Sequence, residues 1–185
     1  MKATIERLVR NLKLLFQRPK DFLYSFKYSK KKFIEIYPFD PNSLTHAKEL
    51  IQKLKKECPF LNLYLIGSVG LGIDGLGDID LYAAAPKNKF SLAEKIISRQ
   101  FGKPLKMRND FVEWNFKYNG TDVELKLTDP HDKQFVRQIK LFNLLKKKKI
   151  LNEYKKLKTD LGNSSEREYV RRKMEFFEKL LASSK

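Results

Sequence analysis

Three acidic residues occupy strand positions from which their oxygens could bind a metal ion. Asp78 and Asp80 are separated by one residue in an apolar stretch typical of a buried strand. Since alternate side chains of a strand project from the same face, both carboxylates lie on one face, about 7 Å apart at Cα. A later acidic strand supplies a third oxygen ligand, either Glu124 or Asp122. Carboxylates are preferred ligands of hard divalent cations, so these positions predict a Mg²⁺ site.

Gly67 and Ser68 follow the apolar stretch 61–66 and precede Asp78 by a glycine-rich spacer. Backbone N–H groups and a hydroxyl at the end of a strand are suited to binding phosphate. No Lys or Arg occurs between Lys56 and Lys87. The positive charge that phosphates require must therefore come from elsewhere, such as Lys126 or the basic ends of the chain.

Hydrophobic periodicity predicts the elements that hold these residues. Alternating segments flank Asn119-Gly120, a preferred two-residue turn, and predict a β-hairpin that carries Glu124. The other strands predicted for the core are 33–37, 61–66 and 78–84. The helices predicted between them begin at Asn42 or Ser43 and at Phe90, and end near Glu57 and Gln100.

Beyond Pro130 the pattern is helical. Helices are predicted over 131–150, over 151–161 and from a capping box at Ser165. The element order indicates a mixed α+β fold, with a mixed sheet flanked by helices. We expect basic amphipathic helices in 1–32, a core in 33–130 and a helical extension in 131–185, packed as a single globular unit.

The charge of the chain is concentrated at its two ends. The protein has 185 residues and a formal net charge of +17. Residues 1–56 and 131–185 each carry a net charge of +9, whereas residues 57–130 carry −1. Clustered Lys and Arg bind polyanions by releasing counterions, so the basic ends predict binding to RNA. The amphipathic segment 1–16 could instead lie on an acidic membrane.

The composition excludes several other classes of protein. Hydrophobic residues make up 42% of the chain, which argues against a disordered protein. Cys58 is the single cysteine, so no internal disulfide and no cysteine-rich zinc site can form. A lone cysteine and no apolar run of about 20 residues lead us to expect a cytoplasmic location.

A recognisable signature runs from Leu65-Ile66-Gly67-Ser68 to Asp78-Ile79-Asp80-Leu81 and is followed by the later acidic strand. It resembles the DNA polymerase β-type nucleotidyltransferase superfamily, in which hydrophobic-Gly-Ser precedes Asp-hydrophobic-Asp by a similar spacer. The resemblance implies a nucleotidyltransferase-type sheet. It also implies transfer of a nucleoside monophosphate from an NTP to a hydroxyl acceptor.

This resemblance gives each site residue a role. Asp78 and Asp80 would hold two Mg²⁺ ions, and Glu124 would ligate the second ion or act as its general base. Gly67, Ser68 and Lys126 would bind the phosphates of the substrate: Gly67 and Ser68 would orient them and Lys126 would offset their charge. The acceptor is expected to be RNA, with a protein or small-molecule acceptor as the alternative.

A narrower resemblance, to the GrpB family, covers residues 33–183. It rests on 36–41, on 66–80 and on Glu153-Tyr154-Lys155-Lys156-Leu157-Lys158, together with Tyr169, Lys173, Phe176 and Phe177. In that family the later strand usually contains histidine, whereas this chain has Val123-Glu124-Leu125-Lys126. The change places an acid where an active transferase needs one. The competing hypothesis is a non-catalytic nucleic-acid-binding protein on a degenerate nucleotidyltransferase fold.

Overall fold

A computed structural model of the protein describes residues 28–108 and 110–184. Most of the helical segment predicted over 1–32 lies outside the described residues, and its described part, 28–32, is not helical. The described residues divide into two compact units, 36–158 and a smaller unit of 28–35 with 159–184. In the described part of the chain, no helix is both long and apolar enough to cross a membrane.

The larger unit contains a five-stranded mixed sheet in the order β1-β2-β5-β4-β3. Strands β2 and β5 are parallel, and every other neighbouring pair is antiparallel. The strands are β1 Asn62–Ile66, β2 Ile79–Ala84, β3 Lys106–Arg108, β4 Phe111–Tyr118 and β5 Thr121–Thr128. The predicted mixed α+β fold, a mixed sheet flanked by helices, is confirmed.

The described residues also form six α-helices, besides a short 3-10 helix at Lys87–Lys89. They are α1 Pro41–Glu57, α2 Gly67–Leu71, α3 Phe90–Phe101, α4 Lys133–Leu145, α5 Lys148–Asp160 and α6 Glu166–Ser183. The smaller unit contains α6, which is capped by Ser165 as predicted: Ser165 Oγ accepts a hydrogen bond of 3.3 Å from the backbone N–H of Glu168. The Glu168 carboxylate accepts from Arg171.

The two faces of the sheet pack against different helices, and Asp80 projects from the second face. One face packs against α1 and α3 around Trp114, which is fully buried. On the other face, Tyr82 packs with Phe135 of α4 at a centroid distance of 5.4 Å. The odd-numbered residues 79–83 belong to the first core, so the even-numbered residues Asp80 and Tyr82 project to the second face.

The β-hairpin forms as predicted. Asn119 and Gly120 both have positive φ, 49° and 82°, as a type I′ turn requires. The register across the hairpin runs from Phe111 opposite Thr128 to Tyr118 opposite Thr121. The sequence pattern missed β3, because its three residues are all exposed and show no alternation.

Three predicted boundaries are wrong. The segment 33–37 forms isolated bridges, Phe33 with Ser165 and Tyr37 with Gly75, because no strand runs beside it. The helix predicted over 131–150 ends at Leu145, where its buried face ends, and a turn at 146–147 precedes α5. Helix α1 begins at Pro41, earlier than the predicted start at Asn42 or Ser43. Its N-cap is Asp40, whose carboxylate accepts a hydrogen bond of 2.9 Å from the backbone N–H of Asn42.

Candidate active site

The backbone of Gly67 lies against the carboxylate of Asp80. Strand β1 ends at Ile66, which is opposite Asp80 in the antiparallel register with β2. The chain then turns through Gly67 at φ +67°, and a Cβ atom there would lie only 1.9 Å from Asp80 Oδ2. The signature therefore requires glycine at this position for two reasons, its left-handed backbone and its contact with the acid.

Strand pairing brings two of the three predicted acids together. Asp80 of β2 is the register partner of Glu124 in the parallel strand β5, and both side chains are half-buried. Asp78 immediately precedes β2 and is also half-buried. Asp122 differs: its exposed carboxylate lies 2.8 Å from Lys117 Nζ on the hairpin. The register thus places Glu124, rather than Asp122, opposite Asp80.

Lys126 forms an ion pair within this group. Its Nζ lies 2.8 Å from Glu124 Oε2, and the two side chains are 20% and 31% exposed. The ammonium also lies 5.5 Å from the centroid of the Tyr82 ring. Burial alone would lower the pKa of Lys126. The neighbouring groups Glu124, Tyr82 and Asp80 have a larger effect and hold the pKa above its usual value. Lys126 therefore stays protonated beside Glu124.

The same environment acts on the Tyr82 hydroxyl. Burial raises the pKa of Tyr82, and the charges of Glu124 and Asp80 act in the same direction, while Lys126 opposes them. The phenol is thus kept neutral. It contributes a ring beneath Lys126 and no negative charge of its own.

The carboxylate oxygens have the right chemistry for Mg²⁺, but their arrangement does not fit the two ions predicted. Among the described residues, no three or more His, Cys, Asp or Glu side chains are grouped so as to hold a metal ion. A two-ion site needs a third ligand beside the Asp pair, and Glu124 is engaged by Lys126. The residues as arranged do not form a site for two resident ions.

Lys158 brings a positive charge to Ser68. This residue of α5 is only 3% exposed. Its ammonium donates hydrogen bonds to the hydroxyl of Ser68 and to the backbone carbonyl of Asp74. No Lys or Arg occurs between Lys56 and Lys87. Lys158, 90 residues after Ser68, supplies the positive charge there.

The loop between α2 and β2 is held in place by several hydrogen bonds. Tyr37 and Gly75 exchange two backbone hydrogen bonds of 2.8 and 3.0 Å. Asp74 Oδ1 accepts from the backbone N–H of Phe39 at 3.0 Å. Ile73 N–H donates to the carbonyl of Ser68 at 3.1 Å. Together with Lys158, these bonds give the loop a defined position beside Ser68.

A cavity of about 240 Å³ opens beside Ser68. Its wall combines aromatic, backbone and polar groups, including Tyr37, Phe39, Ser68, Gly75, Thr121 and Asp122. Typical ligand pockets measure roughly 300–1,000 Å³, so this cavity is smaller than a usual ligand site. Asp78, Asp80 and Glu124 are not among the residues that line it.

Sequence reasoning did not identify Lys158, although the sequence contains a signal. Leu151, Tyr154, Lys158 and Leu161 recur at spacings of three and four residues, the pattern of a buried helical face. A lysine in such a stripe must find hydrogen-bond acceptors, because burying an unpaired charge is costly. The helical pattern therefore marks Lys158 as unusual, but only the tertiary structure reveals Ser68 and Asp74 as its partners.

No protein-family model matches the chain, and no curated protein matches it significantly. Solved structures do match. The Cid1 RNA terminal uridylyl transferase is 14% identical with a TM-score of 0.41, over 64% of this chain and 41% of that chain.

Two further matches are of the same kind. The CdnE c-di-GMP synthase from Capnocytophaga granulosa is 20% identical with a TM-score of 0.37, over 53% of this chain and 36% of its own. A cytoplasmic RNA terminal U-transferase is 12% identical with a TM-score of 0.40, over 74% and 45%. The chain spans less than half the length of these nucleotidyltransferases. They do not assign it to a family, and membership of the GrpB family stays a prediction.

Proposed function

We propose that this protein is a nucleotidyltransferase that transfers a nucleoside monophosphate from an NTP, supplied as its magnesium complex, to a hydroxyl acceptor. One observation carries the proposal: the Gly67 backbone contacts the carboxylate of Asp80, which lies opposite Glu124 on the adjacent parallel strand. A phosphate-binding turn beside paired carboxylates is the arrangement that phosphoryl chemistry requires.

The proposed reaction is an in-line displacement at the α-phosphorus. A bond forms between the acceptor oxygen and the α-phosphorus, the bond to the bridging oxygen breaks, and pyrophosphate leaves. The acceptor proton passes to a site carboxylate. In this proposal Ser68, held by Lys158, orients the phosphates, and Asp78 and Asp80 bind the magnesium complex of the substrate.

Binding of the magnesium–nucleotide complex tests this proposal first. We expect at least one of the four NTPs to bind in isothermal titration with Mg²⁺, and the affinity to fall roughly tenfold or more without Mg²⁺ or in Asp78→Ala. Glu57→Gln, an exposed acid at the end of α1, is the matched control and should bind like the wild type. Failure of all four NTPs to bind with Mg²⁺ would contradict the proposal.

RNA is the acceptor that the surface charge favours. Exposed basic side chains recur along α4, in the turn that follows it and at the start of α5: Lys133, Lys140, Lys146, Lys147, Lys148 and Lys149. If four of them contact phosphates, the affinity for single-stranded RNA should fall about 50-fold between 50 and 200 mM salt. Replacing Lys146, Lys147, Lys148 and Lys149 by Gln should remove most of this dependence. Affinity that is indifferent to salt would exclude RNA as the acceptor.

The second candidate function is a non-catalytic RNA-binding protein on the same fold. The observation that favours it is the ion pair between Lys126 and Glu124, which occupies the third carboxylate. This candidate predicts salt-dependent RNA binding without any Mg²⁺-dependent nucleotide binding. The two titrations described above therefore separate it from the enzyme.

A further inference from the structure

The contact between Lys158 and Ser68 determines how the Ser68 hydroxyl can meet a ligand. Lys158 is buried, and its ammonium donates a hydrogen bond to Ser68 Oγ. An ammonium has three donors and no acceptor, so Ser68 must be the acceptor of this bond. Among the described residues, no side chain or carbonyl accepts the hydrogen of the Ser68 hydroxyl itself. The hydroxyl therefore has one hydrogen left to donate.

The positive charge of Lys158 also fixes the direction of that hydrogen. The hydrogen end of the O–H dipole is repelled by the ammonium, so it turns away from Lys158. Ser68 lies on the wall of the cavity described above, where a ligand oxygen can accept the hydrogen bond. A buried cation directly behind the hydroxyl favours a ligand oxygen that carries negative charge.

We propose that Lys158 is a positioning residue, which acts on the substrate through Ser68. It holds the Ser68 hydroxyl as a hydrogen-bond donor to a phosphate oxygen of the nucleotide and does not itself contact the substrate. This inference rests on the proposed function, because it concerns how the triphosphate of the NTP is held.

Gly75 is the residue that allows Lys158 and Ser68 to meet. Unlike Gly67, it does not have a positive φ, so its backbone alone does not require glycine. A Cβ atom at this position would lie 2.5 Å from Ser68 Oγ and 3.3 Å from Lys158 Nζ. The loop cannot easily retreat, because Gly75 exchanges two backbone hydrogen bonds with Tyr37. A side chain at position 75 would therefore push the hydroxyl and the ammonium apart.

Binding of magnesium tripolyphosphate, which has the phosphate chain but no nucleoside, tests the inference without measuring transfer. Sodium tripolyphosphate is titrated calorimetrically into the protein in the presence of MgCl₂. We expect the wild type to bind it, and Ser68→Ala and Lys158→Met each to bind roughly tenfold more weakly, as for loss of a charge-assisted hydrogen bond. The double variant should bind no more weakly than either single variant, because Lys158 acts only through Ser68.

Gly75→Ala tests the same geometry with both groups still present. We expect it to weaken tripolyphosphate binding about as much as Lys158→Met does, because the new methyl group separates Lys158 from Ser68. Lys155→Met is the matched control: Lys155 is an exposed lysine of the same helix, and its loss should leave the affinity unchanged. Thermal unfolding shows which variants are folded. A merely structural role of Lys158 would lower stability and leave the affinity of the folded protein unchanged.

Three results would overturn the inference. A loss of about a hundredfold in the double variant, the product of two independent effects, would show that Lys158 contacts the phosphates itself. Wild-type affinity in Ser68→Ala would exclude a role for the hydroxyl, and that result does not require any Lys158 variant to fold. Failure of the wild type to bind magnesium tripolyphosphate would exclude the site. None of these results decides the proposed function, which fails separately if none of the four NTPs binds with Mg²⁺.

Discussion

Asp80→Asn is expected to lower the rate of nucleotidyl transfer by about a thousandfold. The substitution keeps the shape of the side chain but removes its charge. Asp80 lies between the Gly67 backbone and Glu124, so it is the acid on which the phosphate-binding turn and the third carboxylate converge. Without its charge, the site loses its principal ligand for the magnesium complex of the substrate.

The rate is measured as release of pyrophosphate from the NTP that binds. Glu57→Gln again serves as the control, because it removes an exposed negative charge outside the site. Thermal unfolding of both variants shows that they are folded under the assay conditions. Transfer by Asp80→Asn at near the wild-type rate would refute the assignment of Asp80.

Gly67→Ala is expected to lower the transfer rate roughly a hundredfold, because the new methyl group displaces Asp80. The Cβ atom would lie 1.9 Å from Asp80 Oδ2, a distance that no relaxation of the Gly67 methyl alone can relieve. Displacing a reacting group by about 1 Å can cost about this much in rate. The backbone strain of alanine at φ +67° adds about 1–2 kcal/mol of lost stability.

Gly72→Ala separates the two effects. Gly72 has nearly the same backbone, φ +64°, but its Cβ would have no neighbour within 4 Å. In urea unfolding, Gly67→Ala should lose at least as much stability as Gly72→Ala, because both carry the backbone strain and only the first also meets Asp80. Only Gly67→Ala should lose the transfer rate about a hundredfold. Equal activity in the two variants would show that contact with Asp80 is unimportant for the reaction.

Local patterns were sufficient to predict much of the sheet. The hairpin around Asn119-Gly120 was predicted because alternation and turn chemistry both act over a few residues. The sequence predicts Glu124 as the acid that faces Asp80 and Asp78, with Asp122 as the alternative. The parallel pairing of β2 with β5 places Glu124 opposite Asp80. These two residues are 44 positions apart, and no local sequence pattern reveals a pairing over that distance.

Contacts between distant segments explain what the sequence did not reveal. Lys158 reaches Ser68 from a helix 90 residues away, and its helical stripe showed only that the lysine is buried. The segment 33–37 has the composition of a strand, but a strand also needs a neighbour, and only Phe33 and Tyr37 form bridges. Lys126 was predicted to face the substrate, and its pairing with Glu124 depends on side-chain geometry.

The fate of the α-phosphate distinguishes transfer of a nucleoside monophosphate from other reactions of an NTP. The protein is incubated with single-stranded RNA, Mg²⁺ and each NTP labelled at either the α- or the γ-phosphate. We expect α-label to become attached to the RNA while γ-label leaves as pyrophosphate, and we expect Asp80→Asn to slow both about a thousandfold. Attachment of γ-label to the RNA, or no release of pyrophosphate from any of the four NTPs, would contradict it.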